Sequence, residues 1–335
     1  MKLRCFFTLL IGLCCLTPRS WAQTYTVIDL GWNGSTPGGG APHSFINNRG
    51  QVAGSGNYPT YLCTHGYLYS GGVTTDIGSL GACPTQVGGI NDSGDVVGSS
   101  TTTSGATHAF LYTGGQMQDL GTLPGDSYSN ATGINDRGEI IGSSSTGPPP
   151  AAGRAFLYSG GKMKPLGPAI REPDVAAFAI NNGGDIVGSF TATNGFTHAF
   201  LYVNKTVADL GALIDGGNAN STAVGINNAG QVIISAEPQA AFLYSAGQMI
   251  AIPAYPGGDP DLMYPIGINN RGQVVGDSTV CCPYDGFLYR GGKTINLNTL
   301  GLPIFVLVAF DINDSGQIPV WTAETGEEYF LTPTP

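Results

Sequence analysis

The sequence predicts an all-β protein, a seven-bladed β-propeller with four antiparallel strands in each blade. Three observations support this prediction. A motif of the form I-N-x-x-G-[QDE]-[VI] occurs seven times, each copy is followed by a run related to H-A-F-L-Y, and the two chain ends carry complementary parts of one repeat. Units of about 40–45 residues with four short strands are typical of propeller blades.

The I-N motif sets the repeat period, because successive copies lie 42 to 46 residues apart. The copies begin at Ile46, Ile90, Ile134, Ile180, Ile226, Ile268 and Ile312. Asn-x-x-Gly between β-branched runs predicts a hairpin in which the asparagine side chain caps the turn and the glycine takes a positive φ. We therefore expect each motif to connect the first two strands of a blade.

The remaining strands of each blade follow from the second and third motifs. H-A-F-L-Y is fullest at residues 108–112 and 198–202, and its consecutive apolar residues predict a strand buried on both faces. A Gly-Gly turn and a D-L-G strand come next, as at residues 114–121. Helical periodicity is absent, so each repeat reads as four strands.

The chain ends predict a closed ring. The seventh repeat stops at residues 330–333 without a D-L-G strand, whereas residues 25–31 form such a strand without the rest of a repeat. Joined together they complete one blade, which an open solenoid would not need. We expect residues 23–335 to form a single domain closed by the N-terminal strand.

The three motifs resemble the HAF family of probable extracellular repeats, named for the His-Ala-Phe triplet at His108 and His198. The resemblance covers the chain from Tyr25 to its end. It implies export and a repeat-built β fold, and it implies no activity. The His-Ala pair is missing or altered in repeats one, five, six and seven, which argues against the histidine as a reactive group.

Residues 1–22 have the features of a secretory signal peptide. Lys2 and Arg4 precede an apolar run from Cys5 to Leu16, and small residues flank Trp21 at the expected cleavage site. We expect a secreted protein, extracellular or periplasmic, without membrane insertion and monomeric. The formal net charge of −10 disfavours nucleic acid as a partner.

Four cysteines remain after removal of the predicted signal peptide: Cys63, Cys83, Cys281 and Cys282. An even number in an exported chain favours disulfides over a metal site. Cys63 lies in the loop between the second and third strands of the first blade, and Cys83 lies in the crossover that leaves this blade. A Cys63–Cys83 bridge is therefore plausible, although four cysteines allow three pairings.

Two recurring polar positions are predicted to be structural. The position of the repeated histidine reads His65, His108, Arg154, His198, Ala240, Asp285 and Glu328, a mixture that a metal ring or catalytic histidine would not tolerate. The motif asparagines sit in turns such as residues 91–95 that faintly resemble a calcium loop. Calcium needs six or more oxygens, so turn capping is favoured and weak calcium binding is the alternative.

The candidate ligand surface is the loop face, which we define as the face carrying the loops between second and third strands and the crossovers between blades. Its aromatic and acidic residues suit a sugar, because sugar rings stack on aromatic planes while their hydroxyls bond to oxygens. The candidate ligand-binding residues are Trp32, Tyr58, Asp126, Tyr128, Tyr255, Asp259, Asp261 and Tyr284.

Two functions follow as hypotheses. The first is a secreted, non-enzymatic propeller that binds a carbohydrate or a protein, with no cofactor. The alternative is a carbohydrate-active hydrolase or lyase that uses acids of the loop face, which would require two carboxylates facing each other across a pocket. No nucleophile elbow, zinc motif or phosphate-binding loop is present, so no catalytic residue and no metal ligand is predicted.

Overall fold

The computed structural model describes residues 24–33, 43–57, 63–148, 153–166, 175–238, 240–259, 262–278, 284–322 and 326–334. These residues form seven four-stranded antiparallel blades arranged in a ring, so the predicted all-β seven-bladed β-propeller is confirmed. The predicted signal peptide lies outside the described residues. Within them, no helix has the length and apolar character required to cross a membrane.

The first four blades contain strands β2 to β17. Blade one has β2 (Ser44–Ile46), β3 (Val52–Asn57), β4 (Thr64–Ser70) and β5 (Val73–Asp76). Blade two has β6 (Gly81–Ile90), β7 (Val96–Thr102), β8 (Thr107–Thr113) and β9 (Gln116–Gly121). Blade three has β10 (Tyr128–Ile134), β11 (Ile140–Ser145), β12 (Arg154–Ser159) and β13 (Lys162–Pro165). Blade four has β14 (Ala176–Ile180), β15 (Ile186–Thr191), β16 (Thr197–Val203) and β17 (Thr206–Asp209).

The last three blades contain β18 to β28 and the N-terminal strand β1. Blade five has β18 (Ser221–Ile226), β19 (Val232–Ala236), β20 (Ala240–Ser245) and β21 (Gln248–Ala251). Blade six has β22 (Met263–Ile268), β23 (Val274–Ser278), β24 (Asp285–Arg290) and β25 (Lys293–Asn296). Blade seven has β26 (Val308–Ala309), β27 (Ile318–Trp321), β28 (Glu327–Pro333) and β1 (Tyr25–Asn33). Short 3₁₀ helices span Gly211–Leu213, Asp215–Gly217 and Leu297–Leu300.

The hydrophobic core is divided among the contacts between neighbouring blades. The cluster between blades two and three contains Val97, Ala109, Ala131, Ile140 and Phe156, all essentially inaccessible to solvent. Equivalent clusters occupy the other blade contacts. Both faces of the strands are therefore buried, as predicted from strands that are apolar on consecutive residues. Each blade thus completes its hydrophobic core only together with its neighbours.

The ring closes through β1, as predicted. This strand pairs antiparallel with β28, from Tyr25 opposite Pro333 to Asp29 opposite Tyr329. At its other end Asn33 pairs with Asn57 of blade one, so blades seven and one share a continuous sheet. The first and last described segments of the chain thus hold one blade together.

The turns of the I-N motifs join the blades as well as capping their own hairpins. In blade one, Oδ1 of Asn47 accepts hydrogen bonds from the N–H groups of Arg49 and Gln51, at 3.0 and 2.9 Å. Its Nδ2 donates to Oε1 of Gln51 at 2.8 Å and to the main-chain carbonyl of Asn91, in the next blade, at 2.9 Å. The predicted cap is confirmed, and the bond to the next blade is an additional finding.

This bond to the next blade is repeated until the circle is complete. The N···O distances are 2.9–3.3 Å around the series Asn47, Asn91, Asn135, Asn181, Asn227, Asn269, Asn313 and again Asn47. The residues that follow these asparagines form a second circle, in which each N–H donates to the side-chain Oδ1 of the next blade at 2.7–2.9 Å. Two closed circles of hydrogen bonds thus surround one mouth of the central channel.

We expect Asn227→Asp to lower the free energy of unfolding by about 2 kcal/mol, because a buried donor is replaced by an oxygen that faces the carbonyl of Asn269. The bond that is lost measures 2.9 Å. Asn228→Asp is the matched control, since Asn228 is exposed and three other repeats carry aspartate there. Urea unfolding at neutral pH measures both variants, and equal losses would contradict a role for the circle formed by the motif asparagines.

The contact between blades seven and one contains a buried carboxyl group. Glu328 is fully buried there, and its Oε2 accepts hydrogen bonds from the hydroxyls of Ser44 and Tyr67 in blade one. Burial raises the pKa of Glu328 to about 7. The pairing of β27 with β28 sets the register of repeat seven. Ile318 lies opposite Leu331, whereas the equivalent Ile140 of blade three lies opposite Tyr158. Leu331 therefore corresponds to the tyrosine of the H-A-F-L-Y motif, and Glu328 corresponds to its alanine. The assignment of Glu328 to the histidine position was wrong by one residue, because repeat seven has lost the Phe-Leu-Tyr order, and Glu327 takes that position.

Candidate ligand-binding site

The repeated histidines bond to the outermost strands of their own blades. Nδ1 of each histidine lies 2.9 Å from Oδ2 of an aspartate, in the pairs His65–Asp76, His108–Asp119 and His198–Asp209. The aspartate belongs to the D-L-G motif. Blades three and five lack the histidine and also lack this aspartate, which is replaced by Pro165 and Ala251. The histidine therefore forms a structural pair with the outermost strand of its own blade.

The three histidine–aspartate pairs differ in burial, so we expect them to contribute different amounts to the free energy of unfolding. The His198 side chain is 5% exposed, and its Nε2 lies 3.0 Å from the carbonyl oxygen of Gly217, whereas the His108 side chain is 22% exposed. We expect His198→Ala to lower the free energy of unfolding by about 2 kcal/mol, because it removes a buried ring that bonds both to Asp209 and to the carbonyl of Gly217, and His108→Ala by less than about 1 kcal/mol. Parallel urea titrations test this order, and the reverse order would refute it.

Two of the predicted ligand residues are engaged in contacts within the fold. Tyr255 is 7% exposed, and its hydroxyl donates to Oδ2 of Asp285 at 2.9 Å. Burial, together with the carboxylate of Asp285, raises the pKa of Tyr255. Asp126 binds Nη2 of Arg154 at 2.8 Å, and only 4% of its side chain is exposed. Neither side chain offers a free surface to a sugar.

The other predicted residues that the structure describes belong to three different segments of the chain. Asp259 is exposed in the crossover between blades five and six, and Tyr284, 48% exposed, precedes β24. Trp32 belongs to β1, at the ring closure. Tyr58 and Asp261 lie outside the described residues, as do Cys281 and Cys282. Asp126 and Asp259 belong to crossovers three blades apart, so these two described acids do not form a pair across a cleft.

The predicted disulfide between Cys63 and Cys83 is confirmed, with a Cα–Cα distance of 6.2 Å and a sequence separation of 20. It links the end of the loop before β4 to the start of β6. A bridge of this span restricts the unfolded chain and stabilises the fold by about 3 kcal/mol. It also anchors the segment that carries Pro84, one wall of the groove described next.

Tyr128 lies on a groove of about 190 Å³ between blades two and three. The lining residues are Pro84, Gln86, Ser99, Thr107, Tyr128, Ser129, Asn130, Ser143 and Ser145. None of them carries a charge. We call this site the Tyr128 groove, and it is the place on the loop face where a predicted aromatic residue meets a concave polar surface.

The Tyr128 groove combines fixed walls with free hydrogen-bonding groups. Ser129 is fixed, because its hydroxyl accepts from the N–H of Ala109 at 2.8 Å and donates to the carbonyl of Gly121. By contrast, five lining side chains form no hydrogen bond to another described residue: Gln86, Ser99, Thr107, Asn130 and Ser143. Hydroxyls and amides without internal partners suit a ligand rich in hydroxyl groups. Sequence reasoning missed these residues, because serine, threonine and asparagine at blade edges form no motif.

The central channel contains a second cavity, of about 180 Å³. Its walls are mostly apolar, and they include Phe178, Ile266 and Phe310. The carboxylate of Asp311 also lines it, but its two oxygens accept hydrogen bonds from the N–H groups of Ile46 and Ile312, at 3.1 and 2.8 Å. Burial raises the pKa of Asp311 to about 7. This carboxylate therefore links blade seven to blade one, and no other acidic side chain belongs to the described lining of this cavity.

The acidic side chains at the opposite mouth of the channel are also occupied. Oδ2 of Asp92 accepts from Nδ2 of Asn48 at 3.1 Å, and Oδ2 of Asp314 accepts from Nδ2 of Asn270 at 2.8 Å. Within the described residues, no group of three or more histidine, cysteine or acidic side chains could hold a metal ion. The weak calcium site stays a prediction, and these oxygens would have to leave their present partners to form it.

Comparison with known proteins supports the fold only. No protein-family model matches the sequence, and no curated protein matches it. Several solved propeller structures are similar. The propeller domain of the Trilobed protease from Pyrococcus furiosus has a TM-score of 0.56 and 8% identity, and the match covers 87% of this chain and 93% of that domain. That domain is described as having an open velcro topology, whereas β1 closes the ring here.

Two peptidases give similar matches over nearly the whole chain. A prolyl endopeptidase has a TM-score of 0.56 and 11% identity, and a puromycin-hydrolyzing peptidase from Mycobacterium tuberculosis has a TM-score of 0.54 and 11% identity. The matches cover 94% and 93% of this chain but only 51% and 56% of the two peptidases. At this level of identity the likeness extends to the fold and to no activity.

Proposed function

We propose that the chain is an exported β-propeller that binds a carbohydrate in the Tyr128 groove without chemically altering it. The observation that carries this proposal is the uncharged lining of the groove, in which five polar side chains beside one tyrosine have no hydrogen-bond partner among the described residues. Stacking on a tyrosine ring with hydrogen bonds to its surroundings is the arrangement that sugars require. The Cys63–Cys83 bridge supports export, since disulfides persist in oxidising compartments.

The alternative, a carbohydrate-active hydrolase or lyase, has less support. Glycoside hydrolysis ordinarily uses two carboxyl groups about 5–10 Å apart, and no described residue lining the Tyr128 groove is acidic. Asp126, the predicted acid nearest in sequence, is bound to Arg154. Incubation with any sugar that binds, followed by chromatography, tests for turnover, and released products would favour the alternative.

We expect a glycan array probed with residues 23–335, with and without calcium, to identify a neutral sugar whose binding is lost in Tyr128→Ala. The loss should be at least about tenfold, because both the stacking surface and the packing of the groove wall disappear. Tyr284→Ala is the matched control, since it removes an exposed tyrosine elsewhere on the loop face. A blank array, or equal losses in both variants, would refute a sugar site in the Tyr128 groove.

A further inference from the structure

A second cleft occupies the equivalent place three blades further round the ring. It lies between blades five and six, has a volume of about 430 Å³, and is lined by Asn220, Ser221, Thr222, Ser235, Ala236, Glu237, Pro238 and Tyr264. Thr222 pairs with Ser235 across β18 and β19, just as Gln86 pairs with Ser99 in blade two. We call it the Glu237 cleft. The repeat thus places similar polar pairs in both sites, and each site also has a tyrosine, although Tyr264 takes the repeat position of Asn130.

The Glu237 cleft differs from the Tyr128 groove in carrying a negative charge. Oε2 of Glu237 accepts a hydrogen bond from Nδ2 of Asn220 at 2.7 Å, and the N–H of Glu237 donates to the carbonyl of Asn220 at 2.8 Å. Oδ1 of Asn220 accepts in turn from the N–H of Thr197 at 2.9 Å. The carboxylate is therefore held in one orientation, although Glu237 is exposed.

No lysine or arginine belongs to the described lining of the Glu237 cleft, so its charge is not neutralised within the site. An oriented carboxylate beside hydroxyl groups and a tyrosine would bind a ligand that has both an ammonium group and hydroxyls. We propose that the Glu237 cleft is a second sugar site, which takes amino sugars in their protonated form. This inference rests on the proposed sugar-binding function, and it adds a different ligand at a different place.

The test compares two probes of equal length, a trimer of glucosamine and a trimer of N-acetylglucosamine, by calorimetry in mildly acidic buffer at fixed salt. We expect the intact protein to bind the cationic glucosamine trimer more tightly. Glu237→Gln should weaken that binding about tenfold, because it replaces a charge-assisted hydrogen bond with a neutral one. Binding of the acetylated trimer should be unchanged, and Tyr264→Ala should weaken both.

A matched control separates the site from the general negative charge of the protein. Asp95→Gln also removes one negative charge, but on the face of the I-N turns, and four other repeats carry glutamine at this position: Gln51, Gln231, Gln273 and Gln317. We expect it to leave both affinities unchanged. Equal weakening by Glu237→Gln and Asp95→Gln, or no weakening by either, would overturn the inference.

The two sites can fail separately in this design. Loss of neutral-sugar binding in Tyr128→Ala, together with a glucosamine affinity independent of Glu237, would support the proposed function and refute the second site. Binding of glucosamine that depends on Glu237, with no neutral sugar bound anywhere, would support the second site and refute the Tyr128 groove.

Discussion

Removal of residues 24–31 is expected to leave most of the protein unfolded under conditions in which residues 23–335 are folded. Leu30 is 1% exposed and packs with Tyr67 and Phe330, and Val27 packs against the core between blades six and seven. Losing these contacts removes on the order of 6 kcal/mol of burial energy, a large part of the 5–15 kcal/mol that typically separates folded from unfolded states.

The deletion also opens the ring. The edge of β28, which pairs with β1 from Tyr25 to Asp29, becomes an unpaired strand edge that can pair with other chains. Circular dichroism during heating and size-exclusion chromatography measure the two consequences, a lower melting temperature and aggregation. A peptide of residues 24–33 added in excess should restore the melting temperature by supplying the missing strand.

A matched pair of substitutions shows whether the loss of stability comes from removing the buried side chains of β1 or from shortening the chain. Leu30→Ala should lower the free energy of unfolding by about 2–5 kcal/mol, because it leaves a cavity between blades seven and one. Thr26→Ala, an exposed position of the same strand, should change it little. An unchanged melting temperature after the deletion would show that β1 does not close the ring in solution.

The free energy of unfolding is expected to fall as the pH rises from 5 to 8, and Glu328 is one of three buried carboxyl groups that contribute to this fall. Burial raises the pKa of Glu328 from 4.5 to about 7. The folded protein therefore holds the proton more tightly than the unfolded chain does. The resulting stabilisation is complete below pH 4.5 and is lost as the pH rises through 7.

Two further carboxyl groups act in the same direction. Burial raises the pKa of Asp311 to about 7 and that of Asp277 to about 6, so both also favour the folded state at lower pH. For Glu328 alone, the difference between pKa values of 4.5 and about 7 corresponds to a loss on the order of 3 kcal/mol by pH 8. Its second oxygen, Oε1, has no hydrogen-bond partner among the described residues, so the ionised form is poorly compensated.

The variant Glu328→Gln isolates this contribution. Its amide oxygen can still accept from the hydroxyls of Ser44 and Tyr67, which contact Oε2 of Glu328. We expect the variant to match the original protein at pH 5 and to exceed its free energy of unfolding at pH 8. Urea titrations at several pH values supply both curves, and parallel curves would show that Glu328 does not titrate within this range.

Much of the fold could be predicted because the same motifs recur in successive repeats. The hairpin at Asn91 and the strand at residues 108–112 have the same spacing in most blades, so an error in one copy is corrected by the others. Glu328 was misplaced because repeat seven departs from the shared pattern, and only the pairing of Ile318 with Leu331 sets its register. The bond from one asparagine to the next blade was missed because spacing within a repeat does not describe the contact between repeats.

The candidate site was less predictable, since it depends on where loops lie after folding. Tyr255 is in a crossover rich in glycine and proline, which indicated exposure, yet its ring packs into the core between blades five and six. Tyr128 was correctly placed on the loop face, but its polar neighbours come from five strands of two blades. Their convergence follows from the arrangement of the blades and leaves no local signal.

The circle of hydrogen bonds formed by the motif asparagines bears on how the number of blades could change. Each link joins the side chain of one repeat to the backbone of the next and is chemically the same at all seven positions, including the step from Asn313 back to Asn47. No single repeat therefore specifies the number of repeats. That number is set by the angle between neighbours, which follows from the thickness of the side chains packed between them. Duplication of one whole unit would preserve every local link, and only the residues of these packed layers would have to change.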